Sequence, residues 1–225
     1  MKYYPIYLDI KGKRCVVIGG GDVAARKIHR LLECGAHVSV VARKLTTTLV
    51  NIAASGHIVH VDENYDQQYL AGAFLVIGAT DQEEVNDRIA ADCRARGIMV
   101  NIVDDPGRCD FILPSLVRRG SLSIAVSTDG KSPALARKLR EDLSDRFGPE
   151  YECYLDLLGW LREIIIAGGR PADENRDIFT ALVNSPLLGH IRAERWQDAE
   201  QIIRDLTAQE IDLTAFINRT AKGIS

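Results

Sequence analysis

Hydrophobic and polar positions in the first 103 residues follow two alternating patterns. Residues 15–18, 37–41, 57–61, 74–80 and 98–103 are short runs rich in Val and Ile. Such runs suit strands of a sheet covered on both faces. Between them, apolar residues recur at helical spacing: Val23, Ile28, Leu31 and Leu32, then a segment over 45–54, then Val85, Ile89, Ala90 and Cys93 within 83–96. Gly35, Gly56 and Gly97 follow these segments, as helix-ending glycines do. Residues 3–9 read as a short extended lead-in and 11–14 as the turn into the first strand. Strand and helix alternating in this way predict a parallel sheet with right-handed crossovers, in the order 3-2-1-4-5.

The pattern changes after residue 103. Residues 104–108 (DDPGR) form a loop, at the sheet edge where ligands of such folds bind. Alternating segments at 111–117 and 121–127 flank Arg118-Arg119-Gly120 and predict a hairpin, whose free edge could pair with a second chain. Thr128 to Lys131 is a turn. Ser132-Pro133 then pairs a cap residue with a first-turn proline and opens a helix to about 147. From 150 onward only helical spacing recurs, over 150–167, 173–184, 195–206 and a tail at 210–222, with breaks at 168–171 and 184–186. The predicted class is α/β: a Rossmann-like parallel sheet, a small α+β dimerisation region and a C-terminal helical domain. The expected domains are 1–113, 114–148 and 149–225.

Composition narrows this only modestly. The chain has 225 residues, 46% hydrophobic and 26% charged, with a net charge of −3, as in an ordinary soluble globular protein. No apolar run approaches the ~20 residues that span a bilayer, and the N-terminal residues lack the apolar core of a signal peptide. The expectation is a cytoplasmic protein whose bulk charge suggests neither nucleic acid nor membrane as partner. The five cysteines are scattered, with no C-x-x-C pair, which argues against a disulfide framework or a structural zinc site. His57 and His60, three apart in a predicted strand, face opposite sides. No metal ligands are assigned.

Chemistry enters at the first strand–helix turn. Gly19-x-Gly21-x-x-Ala24 fits the relaxed dinucleotide fingerprint, in which glycines let the chain turn tightly and a pyrophosphate approach the backbone. The following helix, opening at Asp22-Val23, presents N–H groups and a positive dipole end to the phosphates. After the second strand, where an acidic residue usually meets the ribose hydroxyls, the chain has Arg43 and Lys44. These read either as a contact to a 2′-phosphate or as a solvated basic loop, so the motif alone does not separate NAD from NADP. Thr80, with Asp81, ends the fourth strand where the second half of such a fold begins. Asp104 follows the fifth strand directly and reads equally as a general base in a partly dry cleft or, with Asp105, as a cap on the Pro106-Gly107 turn. Between 118 and 140 stand six basic residues (Arg118, Arg119, Lys131, Arg137, Lys138 and Arg140) against one acid, Asp129. Arg137 and Arg140 share a helix face. The cluster suits either a polyanionic small molecule or a solvated or salt-bridged surface.

Taken together and in order, these motifs resemble the precorrin-2 dehydrogenases of sirohaem synthesis, a module that also forms the N-terminal part of sirohaem synthases. They are Gly19-Gly20-Gly21-Asp22-Val23-Ala24 with Arg26-Lys27, Gly78-Ala79-Thr80-Asp81, Asn101-x-x-Asp104, Phe111-x-x-Pro114-Ser115, and Ala125-Val126-Ser127-Thr128 with Gly130, Ser132-Pro133, Ala136-Arg137 and Arg140. The likeness is dense from about 3 to 147 and thin beyond. It implies NAD-dependent oxidation of precorrin-2 to sirohydrochlorin in a homodimer, with Asp104 as the catalytic residue, and in some members insertion of ferrous iron. It further implies that Gly19, Gly21, Asp22, Val23, Arg43, Lys44 and Thr80 line the cofactor. Thr128 stands where some members have a serine near the substrate. Arg118, Lys131, Arg137 and Arg140 are then the expected partners of the substrate carboxylates. Two other readings compete: a non-enzymatic nucleotide-sensing Rossmann module, which needs neither Asn101-x-x-Asp104 nor the arginine helix, and a Rossmann oxidoreductase for an unrelated acid substrate, which predicts a catalytic His or Lys near the nicotinamide. No histidine occurs between 61 and 189.

Overall fold

A computed structural model describes residues 2–222. The chain forms two compact units, Met1–Leu113 and Pro114–Ser225.

In the first unit, β1 (Arg14–Ile18), β2 (His37–Val41), β3 (Ile58–Asp62), β4 (Leu75–Gly78) and β5 (Met99–Ile102) make one sheet in the order β3-β2-β1-β4-β5, every neighbour parallel. The unbroken apolar runs have the reason the pattern suggested. Cys15 and Val17 pack on one face against Ala24, Ile28 and Leu31 of α1 (Asp22–Glu33). Val16 and Ile18 pack on the other against Ile89, Ala90 and Cys93 of α3 (Glu83–Arg96). Period-two alternation therefore places every residue of β1 beyond Arg14 in a core, each large side chain contributing about 1.5–3 kcal/mol. Gly97, at φ 65, ends α3 in the left-handed conformation that glycine adopts without strain.

Two local departures from the sequence reading occur here. The helix expected from residue 45 begins at Thr47 as α2 (Thr47–Ala54), because the Thr46 hydroxyl accepts a hydrogen bond from the Leu49 N–H at 3.4 Å and caps it. A short 3₁₀ turn, Gln67–Leu70, precedes β4; it is capped by Asp66 and inserts Leu70 into the core.

In the second unit, β6 (Ser115–Arg119) and β7 (Leu122–Val126) pair antiparallel across Gly120-Ser121. The hairpin starts four residues later than its pattern implied, since the Phe111 carbonyl is held by Asn101 and lies against the parallel sheet instead. Helix α4 (Pro133–Arg146) opens at Ser132, whose hydroxyl accepts from the Leu135 N–H at 3.2 Å. Helices α5 (Glu150–Ala167), α6 (Ala172–Asn184), α7 (Leu187–Arg192), α8 (Trp196–Thr207) and α9 (Thr214–Lys222) enclose a core of Leu157, Leu161, Ile165, Leu182, Leu187, Ile203 and Phe216. The short α7 falls just after the break read at 184–186, and the tail helix begins at Thr214 rather than at 210. Among the described residues no helix is long and apolar enough to cross a membrane, and all five cysteines are free thiols.

Candidate nucleotide site and the Asp104 loop

The three glycines after β1 play different physical parts. Gly19 has φ 128, a region closed to side chains, and its N–H donates to the Val41 carbonyl at 2.9 Å. A Cβ there would run into the Ala79 carbonyl. Gly20 is buried, and a Cβ on it would run into the Lys44 carbonyl and lie 2.9 Å from the Ala42 Cβ. Its carbonyl accepts from the Thr46 N–H at 2.9 Å. Gly20 therefore locks the Arg43-Lys44 loop against the turn, a task that the fingerprint assigns to neither of its glycines. Gly21 is exposed, and a Cβ on it meets nothing within 4 Å. The backbone is open on this side only, which is the space a pyrophosphate needs.

Gly21 is also the N-cap of α1, with no side-chain cap. An extended N-cap without a side-chain acceptor leaves the first amides of the helix to an external anion. Exposed Asp22 and half-buried Val23 follow it. Thr80 flanks the turn through β4: the Ala79 N–H donates to the Ile18 carbonyl at 2.7 Å, the Thr80 hydroxyl accepts from the Gln82 N–H at 3.0 Å, and the Thr80 carbonyl accepts from buried Asn86 at 3.0 Å. Arg43 and Lys44 are both exposed, and the Arg43 Nε donates to Asn64 Oδ1 at 3.1 Å. One edge of the guanidinium is thus occupied by the loop after β3, a partner too distant in sequence to anticipate. Gly19, Gly21, Asp22, Val23, Arg43, Lys44 and Thr80 all lie at the C-terminal edge of one parallel sheet, and the uncapped helix start beside open Gly21 fits a dinucleotide.

Asp104 and Asp105 are sorted by geometry. The Asp105 carboxylate accepts from the Gly107 N–H at 2.9 Å and pairs with Arg108 Nε at 3.1 Å. Arg108 also reaches Glu83 at 2.7 Å and Asp87 at 3.2 Å at the start of α3. Asp105 is therefore the turn cap. Asp104 is exposed rather than sunk in a dry cleft, and it stands at φ 63. Asp is among the few side chains tolerated in that region, where a non-glycine residue costs on the order of 1 kcal/mol and often marks a site.

The loop that carries Asp104 is stapled along the outer edge of β5. Asn101, buried inside that strand, donates to the Phe111 carbonyl at 2.9 Å. Asp110 exchanges two hydrogen bonds with the backbone of Val100, at 2.9 and 3.0 Å. The Cys109 sulfur lies 3.2 Å from both the N–H and the carbonyl of Ile102. This explains the Asn101-x-x-Asp104 spacing: the asparagine closes a loop whose tip holds the aspartate. Arg108 and Lys27, which the sequence reading left out of the site, both belong to this neighbourhood. Lys27 is half-buried on α1, where burial lowers its pKa and the charge of Asp104 works against that fall.

The basic residues of the second unit are less concentrated than their sequence suggested. Arg119 is drawn into packing, donating to the Ser144 carbonyl at 3.0 Å and hydroxyl at 2.7 Å on α4. Arg118, on the opposite face of β6, is exposed and contacts the Gly120 carbonyl at 3.5 Å. Arg137 and Arg140 do converge, but on Glu141, at 3.0 and 2.9 Å. Exposed pairs of this kind contribute about 0–1 kcal/mol and exchange readily for another anion. Lys131 is exposed, and the Thr128 hydroxyl is engaged with Ser132, donating to its carbonyl at 3.1 Å and accepting from its N–H at 3.2 Å. Among the described residues no group of three or more His, Cys, Asp or Glu side chains is placed to hold a metal ion.

Comparison with known proteins agrees with this layout. Residues 6–115 match a family of putative NAD(P)-binding domains, and residues 119–146 match the central region of sirohaem biosynthesis proteins. The chain is 43% identical over 207 residues to a siroheme synthase of Photobacterium profundum, covering 92% of this chain and 44% of that protein. It is 46% identical over 204 residues to a siroheme synthase of Nitrosospira multiformis, covering 89% and 43%. The chain thus spans less than half the length of these relatives. Among solved structures, SirC, a precorrin-2 dehydrogenase, matches 88% of this chain and all of its own at 27% identity, with a TM-score of 0.73.

Proposed function

We propose, from the premise that this chain belongs to the family of sirohaem-biosynthesis proteins that contains the precorrin-2 dehydrogenases, that it oxidises precorrin-2 to sirohydrochlorin with NAD as acceptor. The observation that carries the reading is the full-length match of SirC to both units in series, joined to an exposed aspartate on a stapled loop at the C-terminal edge of a dinucleotide-type sheet. NAD supplies the hydride acceptor when bound, with its pyrophosphate on the open side of Gly21 at the start of α1.

The remaining chemistry belongs to this chain. Oxidation breaks two C–H or N–H bonds: one hydrogen leaves as hydride, the other as a proton. Asp104 accepts that proton, and the loop closed by Asn101 and Arg108 fixes where its carboxylate stands. Arg118, Thr128, Lys131, Arg137 and Arg140 receive the carboxylates of the macrocycle, Glu141 releasing its two arginines as they do so. Ferrous iron, as a second substrate of the same module, would use the bound product. The module works as a homodimer joined through β6, β7 and α4, where Leu135 and Leu139, four apart on one helix face, are 48% and 39% exposed. Free thiols throughout suit a reducing compartment, and we place the protein in the cytoplasm.

Supplying purified protein with precorrin-2 and NAD, and following NADH and sirohydrochlorin together, tests the reading. Stoichiometric appearance of both is expected. A separate arm adds ferrous iron to sirohydrochlorin, where loss of free sirohydrochlorin above the spontaneous rate marks chelation. A protein that binds NAD yet turns over no precorrin-2 would instead fit the nucleotide-sensing alternative.

A further inference from the structure

The turn over 168–171 brings α6 beside α5, and the two helices leave a cleft of about 710 Å³ within the second unit. That volume is in the range of small-molecule sites. Helical spacing sets side chains one above the next on each wall. Arg162 and Ile166 line it from α5, and Arg176, Phe179 and Val183 from α6. Ile166 and Val183 are 49% and 58% exposed, apolar surface that the helical core does not use. The Arg162 guanidinium stands 5.1 Å from the centre of the Phe179 ring.

The charge of the cleft has one sign. Among the described residues no acid lines it, and neither Arg162 nor Arg170 has a carboxylate partner. Arg176 pairs with Asp173 at 3.1 Å, both side chains exposed, and another anion readily displaces such a contact. Arg170 lies at the turn between the helices. Its Nη2 donates to the Thr207 carbonyl at 2.6 Å, which holds the guanidinium in place, while its Nη1 is buried without an acceptor. Asn175 donates through Nδ2 to the Arg170 carbonyl at 3.3 Å, and its Oδ1 is buried without a donor. Buried polar atoms in native proteins generally have partners, so the wall formed by Arg170 and Asn175 carries a hydrogen-bonding demand that the protein itself does not meet.

We propose that this cleft binds a small apolar molecule bearing several carboxylates. The carboxylates meet Arg162, Arg170 and Arg176, whose planar guanidiniums suit paired hydrogen bonds to such groups, and the apolar body covers Ile166, Phe179 and Val183. A bare anion would leave that apolar wall in water, and an uncharged apolar molecule would leave the arginines without counter-charge. Two sources supply this chemistry: a carboxylated tetrapyrrole, or a smaller aromatic polycarboxylate. None of the residues of the cleft is among those proposed to receive precorrin-2, so its ligand does not depend on that reading.

Backbone amide NMR of the whole chain tests the site, with uroporphyrin III, naphthalene-2,6-dicarboxylate and inorganic phosphate each titrated to about 1 mM. At least one carboxylated probe should shift amides over 162–184, with a Kd about tenfold or more below that of phosphate. The tighter of the two carboxylated probes identifies the source. Replacing two exposed side chains together, Arg162→Ser with Arg176→Ser, should weaken that binding about tenfold or more. Arg137→Ser with Arg140→Ser, on α4, should leave it unchanged. The site is overturned if no probe shifts 162–184, if phosphate binds there as tightly as either carboxylated probe, or if the folded Arg162 and Arg176 variant keeps the parent affinity.

Discussion

Replacing Gly20 and Gly21 in turn by alanine separates packing from ligand contact within two adjacent residues. At Gly20 the new methyl group would fall against the Lys44 carbonyl and 2.9 Å from the Ala42 Cβ, both on the wall formed by the loop after β2. Neither neighbour is the flexible tip of a side chain, so the loop must shift. Overpacking of this kind costs about 1–3 kcal/mol, and the Thr46–Gly20 hydrogen bond lost with it adds about 1. For a unit of this size we expect Gly20→Ala to lower Tm by about 10 °C. At Gly21 the methyl group enters open space at φ −82. The expected cost is that of alanine at an N-cap, about 0.5 kcal/mol or ~2 °C. The same methyl group occupies the approach to the helix start, so NAD affinity should fall by at least about tenfold, or ~1.4 kcal/mol. Thermal unfolding and calorimetric titration with NAD measure the two effects. Equal losses of Tm, or a Gly21→Ala protein that binds NAD as the parent does, would refute the assignment of packing to one glycine and phosphate to the next.

Four further outcomes follow from the geometry. Asp104→Ala should bind NAD normally and lose turnover of precorrin-2; retained turnover removes Asp104 from the mechanism. Arg108→Ala, which frees the loop from Glu83, Asp87 and Asp105, should lower kcat while leaving the Kd for NAD unchanged, and an equal loss in both would place Arg108 in cofactor binding. Leu135→Asp combined with Leu139→Asp should convert a dimer to a monomer in light scattering at fixed concentration, and an unchanged mass moves the contact elsewhere. The Tyr69 hydroxyl donates to Asp62 and holds its pKa below the ordinary 3.8. A carboxylate with a depressed folded pKa stabilises above its unfolded value and loses that contribution as pH falls through the folded one. Tyr69→Phe should therefore flatten the loss of Tm below about pH 4, and an unaltered acid slope would mean that the bond does not survive in solution.

The sheet was legible because its signal is local. Residues 15–18 and 74–78 carry continuous apolar runs, and connections of this length leave parallel crossovers as the workable topology. The cap at Thr46, the 3₁₀ turn at Gln67–Leu70 and the six-residue α7 were lost because each is decided by a hydrogen bond or one buried leucine rather than by periodicity. At the site, a general base at Asp104 and a turn cap at Asp104 or Asp105 stood even from spacing alone. Asp105 caps the turn and pairs with Arg108, whose other partners lie 21 and 25 residues earlier on α3. The contact of Arg43 with Asn64 is likewise long-range. The basic count over 118–140 was accurate, but its window closed one residue before Glu141, the acid on which Arg137 and Arg140 converge.

The central claim is that this module removes a hydride and a proton from precorrin-2. Anaerobic incubation with precorrin-2 and NAD, monitored for NADH and sirohydrochlorin together, tests it most directly. The account predicts one NADH for each sirohydrochlorin formed, abolished in Asp104→Ala. Folded protein that binds the nucleotide but forms neither product with NAD or NADP would contradict it.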